Sequence, residues 1–193
     1  MRIIYTTTLL AVLTTAFMQC SPKQEPSASF TKADSVTDYY LRMQDTLHVQ
    51  WNLMITSDNK KIQAMGNLLH ELAVTGADSG RYRAYNEQLD QLSRMRYTPK
   101  SMFNPDVVRE YDYATRALIL ELVTTAESRA EYGYNITMQK LVDEVLLSDQ
   151  RVTQLRLQYD SMARLFNRFL DRNGKMLVES NLTTEKKPLF QEN

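Results

Sequence analysis

Apolar residues recur at a helical period through the first third of the chain, at Val36, Tyr40, Met43, Leu47, Trp51, Met54, Ile62, Met65, Leu69 and Leu72, with Asp58 filling the one polar step. The stripe spans 36 residues in ten steps, a mean of 3.6, which is the α-helical period. A helix of roughly forty residues is about 60 Å long, and it cannot bury so long a seam without partners. Whatever this chain folds into must supply a second element of similar length.

That element appears near the other end. Met138, Leu141, Val145, Ser148, Val152, Leu155, Tyr159, Met162, Phe166 and Phe169 cover 31 residues in nine steps, a mean just under 3.5 that is typical of coiled-coil packing. Between the two stripes lie shorter helices. Tyr82, Tyr85, Leu89 and Leu92 mark one that ends near Arg96, before Thr98-Pro99. Asn104-Pro105-Asp106 restarts the chain with a capping Asn, a proline in the first turn and an acid near the helix N-terminus. Val107, Tyr111, Ala114, Leu118, Leu122 and Thr125 then share one face.

Punctuation agrees with this division. Asp34 or Ser35 is placed to cap the first helix, Ser35 with Asp38 at capping-box spacing. Residues 75–80 give a stop and a turn, Gly133 and Asn135 a break and a cap, and Asn173-Gly174 a left-handed stop for the last helix. Only 5 Gly and 5 Pro occur in 193 residues, and no strand-like alternation of useful length is present. The expected fold is all-α, an elongated antiparallel four-helix bundle over residues 34–177 with long first and fourth helices. Short loops imply up-down-up-down connectivity, so the C-terminal tail, 178–193, is expected beside the start of the first helix.

The N-terminus reads as an address. Arg2 precedes an uncharged, apolar and Thr-rich run from Ile3 to Phe17, too short for a membrane-spanning helix and laid out like a signal peptide. The only cysteine, Cys20, follows it, as in a bacterial lipoprotein signal that would be removed as residues 1–19 to leave a lipidated Cys20. Ordinary cleavage near Ala16 and an uncleaved anchor are the other readings. Residues 20–33, rich in Pro, Ser and charge, then form a tether. Attachment to the membrane would come from acyl chains. Ser21, rather than Asp, follows the cysteine, which mildly favours the periplasmic face of the outer membrane in a bacterial envelope.

The remaining composition narrows function by exclusion. The formal charge is zero, with 23 Lys+Arg and 23 Asp+Glu, which argues against nucleic acid as a partner. One Cys and two His leave little for catalysis. A di-iron bundle needs inward Glu and two Glu-x-x-His pairs, whereas Asp45-x-x-His48 is the sole acid-x-x-His and Asn67 precedes His70 at that spacing. Gly-rich phosphate loops, nucleophile elbows and zinc-protease helices are absent. No metal, cofactor or catalytic residue is expected. His48 and His70 read as helix-face residues. Asp58 reads as a partly exposed position, as a buried polar group that sets register, or as a ligand contact, with Lys60 and Lys61 pointing to other sides of the helix. Tyr39-Tyr40 and Tyr132-Gly133-Tyr134 flank helix ends, as packing or as partner contacts.

Two segments and the tail carry a family likeness. Trp51, Met54, Lys60-Lys61 and Ala64-Met65-Gly66-Asn67-Leu68-Leu69 form the first. Arg151-Val152, Arg156, Tyr159-Asp160, Met162, Phe166-Asn167, Asn173-Gly174 and Leu177 form the second, followed by Lys187-Pro188-Leu189-Phe190. Together they resemble the LemA family of bacterial envelope proteins, with Gly66 and Gly174 where that family has proline. The resemblance implies a helical bundle and no established reaction. It marks Trp51, Lys60, Lys61, Asn67, Arg156, Tyr159, Asn167, Lys187, Pro188 and Phe190 as partner-binding or family-motif positions. The expected function is a non-enzymatic, lipid-anchored scaffold or adaptor for other membrane-associated proteins, with an envelope protein as partner. The alternative is a bundle that carries or senses a small apolar or lipid ligand, suggested by the aromatic and Met content of the last stripe.

Overall fold

The computed structural model describes residues 30–76 and 79–191. The signal, Cys20 and residues 20–29 of the tether lie outside the described residues. Four α-helices occur among those described: α1 (Lys32–Thr75), α2 (Ser79–Arg94), α3 (Pro105–Glu127) and α4 (Ile136–Glu179), with a 3-10 turn at Ser101–Phe103. The fold is all-helical, as the periodicity predicts.

The long helices α1 and α4, 44 residues each, lie antiparallel. Their contacts descend on α4 as they ascend on α1: Tyr39 on Phe169, Trp51 on Tyr159, Lys61 on Asp149 and Glu71 on Asn135. Most of the predicted first stripe is buried, from Tyr40 to Leu72. On α3 the buried set is Val108, Tyr111, Thr115, Leu118, Ile119, Leu122 and Ala126. This face is wider than the predicted one and shifted by one residue at several positions, because α3 packs against α1, α2 and α4 rather than against a single partner.

Capping explains where α1, α3 and α4 begin. Asn104 and Asn135 cap α3 and α4, each side-chain oxygen accepting a backbone N–H, from Asp106 and Met138 respectively, at 3.0 Å. For α1 the cap is Thr31 rather than Asp34 or Ser35. Thr31 Oγ1 accepts the Asp34 N–H at 3.1 Å and the Asp34 carboxylate accepts the Thr31 N–H at 2.8 Å, a capping box one turn upstream of the expected one.

The last helix corrects the sequence reading. Asn173-Gly174 does not stop it, and no described glycine has positive φ. A helical glycine costs only about 1 kcal/mol, and continuing the helix buries Leu177 completely. The stop comes at Asn181, φ 57°, where the Leu182 N–H reaches the Leu177 carbonyl at 2.8 Å and the Asn181 N–H reaches Val178 at 3.0 Å. This is a Schellman closure with Asn in the left-handed position. Val178 and Glu179 are therefore helix, not tail. The tail starts beside α1, where Tyr40 Oη donates to the Thr183 carbonyl at 3.0 Å, then doubles back along α4 to Asp160.

Gly66 and Gly174 are helical positions with room for a methyl group. An added Cβ would meet Leu89 Cδ2 at 3.5 Å and Thr184 Cγ2 at 3.9 Å respectively, both ordinary contacts. Gly66→Ala and Gly174→Ala are each expected to stabilise the fold by about 0.5–1 kcal/mol. Urea unfolding followed by circular dichroism checks this, and a destabilised Gly174→Ala would mean that the helix does not run through residue 174.

Candidate functional site

The returning tail lies in the groove between α1 and α4, and side chains of α4 hold its main chain. The Asn167 carboxamide pairs with both backbone groups of Lys187, accepting its N–H at 2.8 Å and donating to its carbonyl at 2.9 Å. About two turns earlier on α4, the Asp160 carboxylate accepts the N–H groups of Phe190 and Gln191 at 2.8 and 3.0 Å. Arg164 donates to the Gln191 carbonyl at 2.7 Å. Asp160 is almost fully buried. Burial raises its pKa, partly offset by the two N–H groups that it accepts.

Phe190 enters an aromatic nest. Its ring stacks on Trp51 at 6.4 Å and meets Tyr97 and Tyr159 edge-on at 5.2 and 5.6 Å. The Arg156 guanidinium lies 4.9 Å from the Phe190 ring and 5.0 Å from that of Tyr97. Its Nη1 spans both oxygens of Asp112 at 2.7 and 2.8 Å, while Nε and Nη2 donate to Tyr97 Oη at 3.3 and 3.0 Å. The flat cation is thus held in one orientation from both sides, which a lysine could not reproduce. Lys187 lies over the Phe166 ring at 5.8 Å.

Beneath this seat is a buried charge cluster. Asp58 is inaccessible and Lys61 is 2% exposed. Lys61 Nζ lies 3.0 Å from Asp58 Oδ1 and 3.5 Å from Asp149 Oδ1. Tyr111 donates to Asp58 Oδ2 at 2.6 Å, and Arg96 Nε approaches the same oxygen at 3.3 Å. Of the readings open for Asp58, the buried polar group is what the structure shows. Lys61 does not point away from it: residues three apart share a helix face, and the ammonium lies between Asp58 and the partly exposed Asp149.

Six of the sequence-marked residues converge on the tail and its seat: Trp51, Arg156, Tyr159, Asn167, Lys187 and Phe190, with Pro188 half-buried between the last two. Lys61 belongs to the charge cluster. Lys60 and Asn67 are exposed elsewhere. Lys60 lines an open groove with Lys140, Asp143 and Arg151 on α4, and Asn67 sits about 24 Å of helix rise beyond Trp51. His48 and His70 are exposed helix-face residues. Tyr39 and Tyr40 pack on Phe169 and Phe166. Sequence reasoning missed Tyr97, Asp112 and Asp160. The roles of Tyr97 and Asp112 depend on a tertiary fact, that the segment after α2 and the first turns of α3 lie beside Arg156. Among the described residues no group of three or more His, Cys, Asp or Glu is placed to hold a metal ion, and no helix is long and apolar enough to cross a membrane. Comparisons with protein-family models, curated proteins and solved structures find no match for this chain.

Removing one member of the charge cluster leaves a buried charge short of its partner. Lys61→Met is expected to cost about 3–5 kcal/mol, whereas replacing the buried members together, Asp58→Leu with Lys61→Met and Tyr111→Phe, so that no buried hydroxyl loses its acceptor, is expected to recover most of that loss; thermal unfolding of both variants checks it.

The phenols give a pH test. Burial pushes Tyr97 and Tyr159 up to about 12. Burial also raises Tyr111, as does the Asp58 carboxylate that accepts its proton. The folded state therefore keeps protons that the unfolded chain releases near the ordinary value of 10.0. The stability these groups contribute is complete below pH 10 and is lost as pH rises through about 12. Absorbance at 295 nm should show these tyrosines ionising only together with loss of helical circular dichroism.

Proposed function

We propose that the chain is a non-enzymatic lipoprotein of the bacterial cell envelope, a LemA-like helical scaffold or adaptor for other membrane-associated proteins. The observation that carries this reading is where the family-like residues fall. Trp51, Arg156, Tyr159 and Asn167 line a surface that holds an extended peptide segment, Asn167 bonded to its main chain and Arg156 fixed by Tyr97 and Asp112 beneath its aromatic ring. Such a surface suits recognition of protein. The Cys20 context in the sequence supports a lipid anchor. The carrier alternative has less support, since the larger clefts are surface grooves open to solvent and the interior between the helices is filled by side chains.

Gentle detergent extraction of the full-length protein from its own membranes, followed by native mass spectrometry, tests the reading. The expected result is a stoichiometric protein partner and an N-terminal Cys20 peptide that carries acyl mass. Cys20→Ser should move the protein out of the membrane fraction. A protein extracted alone with a reproducible small-molecule mass would replace the adaptor with the carrier, and an unmodified Cys20 would remove the lipid anchor.

A further inference from the structure

The tail is held as a bound peptide is held. Asn167, Asp160 and Arg164 read its backbone, and backbone recognition is indifferent to which chain supplies the segment. Side-chain selection is confined to the Phe190 nest and the neighbourhood of Lys187. Pro188 has no N–H to satisfy and restricts its own φ, so a segment bearing it loses less entropy on binding.

The seat is also larger than its occupant. A cleft of about 340 Å³ opens beside Lys187, bordered by Asp45, His48, Trp51, Pro99 and Tyr159. Trp51 and Tyr159 serve both the nest and this cleft. Asp45 is its one carboxylate, exposed on α1, while the Lys187 ammonium lies over the Phe166 ring.

We propose that the α1–α4 groove is a peptide-binding site for a partner protein. Its ligand is an extended segment with a basic residue, a proline, an apolar residue and an aromatic residue in succession, which replaces the chain's own Lys187-Pro188-Leu189-Phe190. The tethered tail competes at an effective concentration of order millimolar. A second copy's tail would bring the same contacts without the tether and would lose. A partner segment prevails by adding contacts, and the open cleft with Asp45 supplies them: an arginine before the proline can fill it and pair with the carboxylate. The proposal rests on the adaptor reading for the existence of a partner, whereas the groove itself is testable with peptides.

Trp51 is the only tryptophan and touches Phe190, so its emission reports occupancy. The test uses full-length Phe190→Ala, the unaltered chain, and three synthetic nonapeptides. These are the tail sequence Thr183–Gln191, the same with arginine in place of Lys187, and the arginine version with alanine in place of Phe190. Phe190→Ala should red-shift Trp51 while helical circular dichroism is retained. The arginine peptide should reverse the shift saturably, at least threefold tighter than the tail sequence and tenfold tighter than the alanine peptide. It should bind the unaltered chain at least tenfold more weakly. Hydrogen exchange on the unaltered chain provides a reading that does not depend on the variant folding: excess arginine peptide should speed exchange at the Lys187, Phe190 and Gln191 amides. The groove proposal is overturned by no saturable response in folded Phe190→Ala, by equal binding of the alanine peptide, or by unchanged tail exchange under excess peptide. A dimer of the unaltered chain that Phe190→Ala dissociates would overturn it in favour of a second copy's tail. Peptide binding without any extracted partner would sink the adaptor reading and leave the groove, and a partner without peptide binding would do the reverse.

Discussion

Two antiparallel helices of 44 residues carry apolar seams along almost their whole length, but the helices available to cover them have 16 and 23 residues. At 1.5 Å per residue the long pair extends about 66 Å, against about 24 and 35 Å for the short ones. Covering helices of that size reach only one half of the pair. In that half, where Met65, Leu69 and Leu72 meet Tyr85, Leu92, Leu118 and Leu122, the molecule is a four-helix bundle. In the other half, Tyr40, Met43 and Leu47 on α1 face Tyr159, Phe166 and Leu170 on α4 with no third helix. The tail supplies the missing cover. Its return path follows from the length mismatch, and the Schellman turn at Asn181 is what aims it back along α4.

Burying Asp58, Lys61 and Tyr111 inside the four-helix half is costly in desolvation, and an apolar substitute could be as stable. What the cluster adds is position. Asp58 and Lys61 come from α1, Asp149 from α4, Tyr111 from α3 and Arg96 from the segment after α2. Sliding a helix by one turn would take the buried Asp58 and Lys61 away from their partners on the neighbouring elements. A long, smooth apolar seam specifies register weakly, because neighbouring registers bury similar surface. One group of charges contributed by every part of the bundle removes that degeneracy, by the same logic as a single polar residue in a coiled-coil seam.

The helices were legible in the sequence because their signals are local: periodicity, Asn caps and a proline in the first turn each act within a few residues. The errors came where two local rules competed or where the deciding partner was distant. Thr31 and Ser35 both offer a capping box, and the burial of Tyr40, Met43 and Leu47 does not choose between them. Asn173-Gly174 has the residues of a stop, but Leu177 gains more from burial than the glycine costs. Lys61 lies three residues from Asp58 and so shares its face, but the spacing alone does not say that both are buried there. The seat was half legible. Family likeness pointed to Trp51, Arg156, Tyr159, Asn167 and the Lys187–Phe190 segment, without saying that they meet. Tyr97 and Asp112 could not be found from sequence, since their role exists only because the α2–α3 connection ends against α4.

That connection joins the two halves energetically. Asp58 accepts from Tyr111, the Tyr111 ring meets Tyr97 edge-on at 5.3 Å, Tyr97 accepts from Arg156, and Arg156 lies over Phe190. The charge cluster that fixes helix register therefore also fixes the guanidinium face on which the tail's aromatic ring rests. A seat assembled from flexible surface side chains would have to be ordered anew by each ligand. Here the guanidinium is held by groups outside the tail: Arg156 is pinned by Asp112 and Tyr97, and Tyr97 is packed against a tyrosine whose hydroxyl is committed to Asp58. Binding at this surface then costs the release of the tail and the ordering of the incoming segment, and a proline within that segment lowers the second cost.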